Sequence, residues 1–273
     1  MERYQKTSLC KCGNCGFIFS RKIPSQKDLK VFYSEHYDVT SYLSPITIKR
    51  YNDILDEFEQ YRETGNLLDI GAGYGFFLEV AKQRGWNVYG TELTDQAVHK
   101  CEKKDLTMFK GPIQSIDFGD LKFDIIVSIE VIEHLNTPVK YVNKAHELLR
   151  KGGVFYLTTP NFNSYLRHRL KENYNIIEYP NHLCYYTTKT LAKLFNDNGF
   201  RTHKIQTTGI SLTRLRTSKG KSNQEFVSET SDDEMVRYKI ERNKSLRIGK
   251  RFANAILNLF KIGDSLKGSF IKE

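Results

Sequence analysis

Between Asn66 and Val80 the chain reads NLLDIGAGYGFFLEV, with glycine at three alternate positions, Gly71, Gly73 and Gly75. An apolar run of Leu67, Leu68 and Ile70 leads into them, and an apolar stretch of helical character follows. Strand, glycine turn and helix in this order open a nucleotide-binding α/β unit: glycine lets backbone approach a ligand, and helix N–H groups face it. A glycine turn also serves purely steric ends, so two further features matter. A dinucleotide fingerprint places a small residue at position 76, where this chain has Phe76. Asp69 ends the strand two residues before Gly71, and an anion there repels a diphosphate and attracts an ammonium or sulfonium group.

One strand–helix–strand unit later, NVYGTEL puts Glu92 at the end of a second strand, placed to accept hydrogen bonds from two ribose hydroxyls. Strand-like segments at 66–71, 86–92, 106–110, 123–129 and 153–159 alternate with helical stretches, which predicts a doubly wound, mostly parallel sheet. A further strand is expected over 200–208, after a helix carrying Leu191, Leu194 and Phe195, and a last one over 269–272. Ligands of open α/β sheets gather at the C-terminal strand ends. Asp69, Gly71, Glu92, Ser128, Ile129, Glu130 and Thr159 all fall on that edge.

The ordered set LLDIGAGYG, Glu92, FDIIVSIEVIEHL (Phe123–Leu135), LRKGGVFYLTTPN (Leu149–Asn161) and NHLCYYT (Asn181–Thr187) resembles the S-adenosylmethionine site of class I methyltransferases. The resemblance implies a seven-stranded Rossmann-like fold and S-adenosylmethionine as cofactor. It also implies cofactor-binding roles for Asp69, Gly71, Ala72, Gly73, Gly75, Glu92, Leu93, Ile113, Gln114, Ser128, Ile129 and Glu130. Many relatives place an acidic residue in the segment that here reads Gly111–Ser115. This chain has Pro112, Ile113 and Gln114, so adenine contact is expected through backbone N–H groups and the Gln114 amide.

A chain of 273 residues buries one substantial core with a small accessory lobe. It holds no apolar run long enough to span a membrane, and Met1–Leu9 lacks the apolar region of a signal peptide. Five cysteines without such a signal predict reduced thiols, so the expectation is a cytoplasmic protein. The formal charge of +10 is uneven: Arg201–Glu273 holds 16 Lys and Arg against 8 Asp and Glu, leaving +2 on the preceding 200 residues. A near-neutral core without a basic–aromatic module argues against nucleic acid as its substrate. The basic quarter suits a small-molecule acceptor that is anionic or phosphorylated.

Five segments follow. Residues 1–23 resemble the second half of a zinc ribbon: Cys10, Cys12 and Cys15 form a knuckle, but a closed tetrahedral site needs four ligands, so no metal is expected. Residues 24–64 read as a helical cover, in which Tyr33, Tyr37, Tyr42 and Arg50 are candidates to line the cofactor and Arg50 to pair with its carboxylate. Residues 65–208 form the core and 262–273 its last strand. Between them, 209–261 is a basic insertion: a polar loop over Ser211–Ser228, then a helical stretch over Asp232–Lys261. Phe252, Ala255, Ile256, Leu259 and Phe260 share one face of that stretch, flanked by Lys244, Arg247, Lys250 and Arg251. A packed helix explains the pattern, and weak contact with a membrane surface is the alternative.

Transfer of a methyl group to a hydroxyl calls for a base. Glu130 and His134 lie four apart and share a face if SIEVIEHL begins a helix. His182, flanked by Tyr179, Tyr185 and Tyr186, competes from the loop where acceptor contacts are expected. The expectation is that His182 is the base on the acceptor side, with His134 and Glu130 in support on the cofactor side. The resemblance further implies methyl transfer to a hydroxyl or amine of a sugar, nucleotide-linked sugar or phosphorylated metabolite in surface-polysaccharide biosynthesis. RNA methylation and a non-catalytic, membrane-docking scaffold are the alternatives.

Overall fold

The computed structural model describes residues 4, 8–25, 28, 43–211 and 232–273, the side chains of 232–235 excepted. Its centre is a seven-stranded sheet in the order β5-β4-β3-β6-β7-β10-β9. The strands are β3 (Asn66–Ile70), β4 (Asn87–Glu92), β5 (Thr107–Lys110), β6 (Phe123–Ile129), β7 (Leu149–Pro160), β9 (Phe200–Thr208) and β10 (Ser265–Lys272). β3 to β7 pair in parallel, and β10 runs antiparallel to both β7 and β9. This is the seven-stranded Rossmann-like methyltransferase fold that the sequence predicts. The chain winds from β3 outward through β4 and β5, then returns to β6 on the other side of β3. The crevice of such a sheet therefore opens at the C-terminal ends of β3 and β6.

The central strands are buried on both faces. NLLDI is buried from its second residue on and FDIIVSI through its sixth, which is why these strands read as continuous apolar runs rather than alternating ones. One core lies under the helix Pro138–Leu148 and the helix Thr188–Asn196, around Leu68, Phe123, Phe155 and Phe270. The other lies under Pro45–Phe58 and Phe76–Gln83, around Leu67, Phe77, Val127 and Tyr156.

Two strands begin earlier than expected. β7 starts at Leu149, with a register shift against β6 between Phe123 and Ile125. β10 starts at Ser265, where Ser265 pairs with both Pro160 and Thr208. Pairing on both sides extends the ladder beyond the apolar residues that marked the strand in the sequence. A further difference concerns the insertion, whose helical part is two helices, Asp232–Arg242 and Lys244–Leu259, divided at Asn243, which caps the second. Phe252, Leu259 and Phe260 on the second helix are 63–74% exposed, so the described residues do not pack over the stripe. The helix is held instead by polar bonds: Asn258 Oδ1 accepts from Thr207 N, and Asn254 Oδ1 from Gly209 N.

The cysteine segment forms a hairpin of β1 (Leu9–Lys11) and β2 (Ile18–Ser20), and β2 pairs with β8 (Cys184–Tyr185). Phe17 packs on Tyr186 at 5.2 Å between ring centroids. Backbone N–H donors of Cys15 and Asn14 pull the Cys12 thiol below its ordinary value, but the three cysteines do not converge on one point. The hairpin's evident role is to buttress the His182 loop, since Ser20 N donates to Leu183 O at 2.8 Å. Tyr33, Tyr37, Tyr42 and the Ser211–Ser228 loop fall largely or wholly outside the described residues.

Candidate active site

The Gly71–Gly75 turn is tied to the end of β4: Gly71 N and Ala72 N both donate to Thr91 O, at 3.0 and 3.1 Å. This brings Glu92 against the turn. Its Oε2 accepts from Gly73 N at 3.0 Å and its Oε1 from Leu93 N at 2.6 Å. Two backbone donors thus fix the orientation of this carboxylate at the turn. Asp69, on the neighbouring strand, is 3% exposed. Burial, reinforced by the Glu92 charge, pushes its carboxyl well above the usual range. Such a pair of anions suits a ligand that brings a cation to one carboxylate and hydroxyl donors to the other, which is the donor set of S-adenosylmethionine.

The three glycines divide the work differently from the expectation that all three open space for a ligand. A Cβ at Gly71 would lie 2.7 Å from Val131 Cγ2. At Gly75 it would lie 2.5 Å from Leu106 Cδ1 and 2.9 Å from Cys101 Sγ. Both have left-handed φ, 73° and 74°, a conformation glycine takes without strain. These two positions are glycine because the protein's own side chains pack there. Gly73 donates the N–H that orients Glu92.

A second group gathers at the ends of β6 and β7. Glu130 adopts a left-handed φ of 56° and Ile132–His134 forms one 3₁₀ turn rather than a helix. The chain is thus turned so that Glu130 Oε1 accepts from Thr158 Oγ1 and Glu133 Oε2 from Thr159 Oγ1, both at 2.8 Å. The His182 loop is laced to this turn. Leu183 N donates to Glu133 O at 2.8 Å, His134 Nδ1 donates to Asn181 O at 2.6 Å, and Cys184 Sγ lies 3.1 Å from Leu135 O. His182 Nδ1 donates in the same manner to Ile176 O at 2.7 Å.

The outcome is one cluster. The His134 and His182 rings lie 4.9 Å apart, centroid to centroid, at 66°. Glu133 Oε1 is 4.0 Å from His134 Nε2, and one ligand-capable atom from each of Glu133, His134 and His182 lies within 4.8 Å of the others. The two histidines that the sequence divides between a cofactor side and an acceptor side thus stand side by side. Burial lowers the His134 pKa, against the Asn181 carbonyl and the Glu130 charge.

The remaining candidates are placed as follows. Ser128 is fully buried, and its Oγ accepts from Tyr141 Oη at 2.7 Å, so its hydroxyl is engaged within the fold. Ile113 is also buried, as part of the core beneath the 3₁₀ turn Ile113–Ser115, while Gln114 is half-buried on that turn. Leu93 is 47% exposed beside Glu92. Ala72 and Ile129 are half-buried against the core. Arg50 lines a cavity of about 160 Å³ with Asp53, Glu57, Tyr156, Lys204 and Lys267, where burial and the Arg50 charge push Lys267 down to about 8. The lining of that cavity includes no residue of the Gly71–Gly75 turn.

Sequence reasoning placed Thr159 on the ligand edge but gave neither it nor Glu133 a role in the cluster. Glu133 stands next to His134 in the sequence, but its place in the cluster becomes visible only when His182, 49 positions on, arrives beside it.

A family model described as a methyltransferase domain matches residues 43–205. The Ubiquinone biosynthesis O-methyltransferase of Pseudomonas aeruginosa is 29% identical over 104 residues, covering 36% of this chain and 45% of that protein. The chain thus spans less than half the length of this curated relative. Among solved structures, a SAM-dependent methyltransferase from Archaeoglobus fulgidus superposes with a TM-score of 0.56 at 19% identity, covering 89% of this chain and 98% of its own. Phosphoethanolamine N-methyltransferase 2 of Haemonchus contortus, in complex with S-adenosyl-L-methionine, does so with a TM-score of 0.58 at 16% identity, covering 93% and 61%. These likenesses establish the fold.

Proposed function

The chain belongs to the methyltransferase domain family, and from that premise we propose that it transfers a methyl group from S-adenosylmethionine to a hydroxyl of a small polar acceptor. When bound, the cofactor supplies a methyl group on a sulfonium, open to displacement by an acceptor lone pair. Asp69 would take the ammonium group of its methionine part, relieving a carboxylate that burial and the Glu92 charge disfavour. Glu92 would accept from the ribose hydroxyls, in the orientation set by Gly73 and Leu93.

The observation that carries a hydroxyl acceptor is the Glu133–His134–His182 cluster at the ends of β6 and β7. With Nδ1 of each ring donating to a backbone carbonyl, a neutral imidazole has its acceptor character at Nε2, the atom suited to serve a hydroxyl. An already neutral amine needs no such group. The O-methyl name of the P. aeruginosa relative supports oxygen as the acceptor atom. A sugar or polysaccharide acceptor, which the sequence resemblance implied, gains no support from these relatives, and we place the acceptor no more narrowly than its chemistry.

Labelled S-adenosylmethionine offered with matched panels of hydroxyl- and amine-bearing small molecules tests the reading. Label in hydroxyl products is expected. Label confined to amines overturns the acceptor class. Calorimetry showing no cofactor binding to the folded protein overturns the whole reading.

A further inference from the structure

We propose that Glu133, His134 and His182 form a binding site for one divalent transition cation, which holds the acceptor oxygen. The proposal rests on the reading of this cluster as the acceptor end of the active site. Three features of the cluster go beyond what a proton-accepting histidine requires.

The donor set is the first. Two imidazoles and one carboxylate are the ligands of three-coordinate catalytic sites, which keep a position open for water or substrate. Imidazole with carboxylate selects zinc and its first-row neighbours over magnesium or calcium. Their donor atoms already lie within 4.8 Å of one another. Zinc with bonds of about 2.1 Å needs tetrahedral donors about 3.4 Å apart, so side-chain rotation on the existing backbone closes the set.

The second feature is outer support. Metal-bound histidines donate their other ring N–H to a carbonyl or carboxylate, which fixes tautomer and ring orientation. Both rings do so here, His134 to Asn181 O and His182 to Ile176 O. The carboxylate is held in the same way, with Thr159 Oγ1 on Glu133 Oε2 and Oε1 turned toward His134. A single base needs one oriented ring, whereas this arrangement orients all three side chains toward one another.

Charge is the third. The Glu133 side chain is 3% exposed, and carboxylates buried in proteins are found paired or coordinating metals. A dication turns the set from net negative to net positive. A hydroxyl placed on it becomes more acidic and releases its proton to solvent base, leaving the oxygen lone pair available to the methyl group. The laced loop, with its β2 strand behind β8, keeps the third ligand in place from a distant part of the chain.

The test uses the full chain with Cys10→Ser, Cys12→Ser and Cys15→Ser, which removes the competing thiol knuckle, stripped with chelator and titrated calorimetrically with Zn²⁺. One Zn²⁺ per chain is expected, with a raised melting temperature. Affinity should fall more than about 100-fold in Glu133→Gln or His182→Ala, and about 10- to 100-fold in Thr159→Val, which spares the ligands themselves. Co²⁺ in the unsubstituted site should give a tetrahedral visible spectrum without sulfur charge transfer. Absence of binding in the thiol-free protein, or binding indifferent to Glu133 and His182, overturns the proposal. If binding fails while methyl transfer to hydroxyls survives chelation, the metal is wrong and the proposed function stands. If Zn²⁺ binds but no hydroxyl is methylated, the reverse holds.

Discussion

His134 and His182 stand 48 positions apart in the chain and 4.9 Å apart between ring centroids. Each ring is oriented by one carbonyl, and the two carbonyls, of Asn181 and Ile176, belong to the same loop. The pair is a structural unit made by one loop folding over one turn.

That relationship predicts non-additive kinetics. His134→Ala and His182→Ala should each lower kcat by about 10²- to 10⁴-fold. The double variant should be no worse than about tenfold below either single one, because groups acting together are lost together. Steady-state rates with a hydroxyl acceptor decide it. Multiplying losses, or one variant keeping full turnover, would show two independent roles.

Glu92→Ala should weaken S-adenosylmethionine binding by about 30- to 1000-fold, since losing an oriented carboxylate that serves two hydroxyl donors costs roughly 2–4 kcal/mol. Calorimetry on the folded variant measures this. Unchanged affinity would remove Glu92 from the cofactor site.

Asp69 carries a pH signature. Its carboxyl is raised in the folded protein by burial and by the Glu92 charge. The stability it contributes is therefore fully present below the ordinary carboxyl pKa of the unfolded chain, and is lost as pH rises through the folded value. Asp69→Asn should raise the melting temperature of the cofactor-free protein at pH 8, with the gain shrinking in acid. Pairing with the cofactor's ammonium group needs the anion, so wild-type affinity should rise with pH, and binding should release a proton measurable in buffers of different ionisation enthalpy. A less stable Asp69→Asn protein at pH 8, or pH-independent affinity, would contradict this account.

Asp124 predicts a purely structural effect. It is fully buried, accepts from Glu63 N, Thr64 N and Gly65 N, and pairs with Arg150 Nε. Burial works to raise its carboxyl, but the Arg150 guanidinium and the three N–H donors outweigh it and hold the pKa below its ordinary value. Asp124→Ala strands a buried guanidinium contact and three donors, at a cost of about 3–5 kcal/mol in chemical denaturation. In the wild type this contribution is present above the ordinary carboxyl pKa and is lost as pH falls through the folded one. A loss below about 1 kcal/mol would show that Arg150 and the entry to β3 find other partners.

The succession of strands along the chain and the mostly parallel sheet were legible in the sequence because each rests on local signals. Leu67, Leu68 and Ile70 form a run too short for a helix and too apolar for a surface strand. Asp69 and Glu92 stand out as charges at the ends of such runs. Hydrophobic burial acts on every strand of this kind in the same way, so pattern and fold agree. What the glycines do was decided only in three dimensions: Gly71 and Gly75 answer to Val131, Leu106 and Cys101, contacts that no spacing within the turn reveals. The same holds for the Glu133–His134–His182 cluster. SIEVIEHL reads as a helix with Glu130 and His134 on one face, whereas Glu130 turns left-handed and Glu133 becomes the partner of His134. Backbone hydrogen bonds from the His182 loop, and hydroxyls of β7 reaching both glutamates, set that geometry. These are long-range bonds between segments without a shared period, and they leave no trace in a single sequence until the chain has folded.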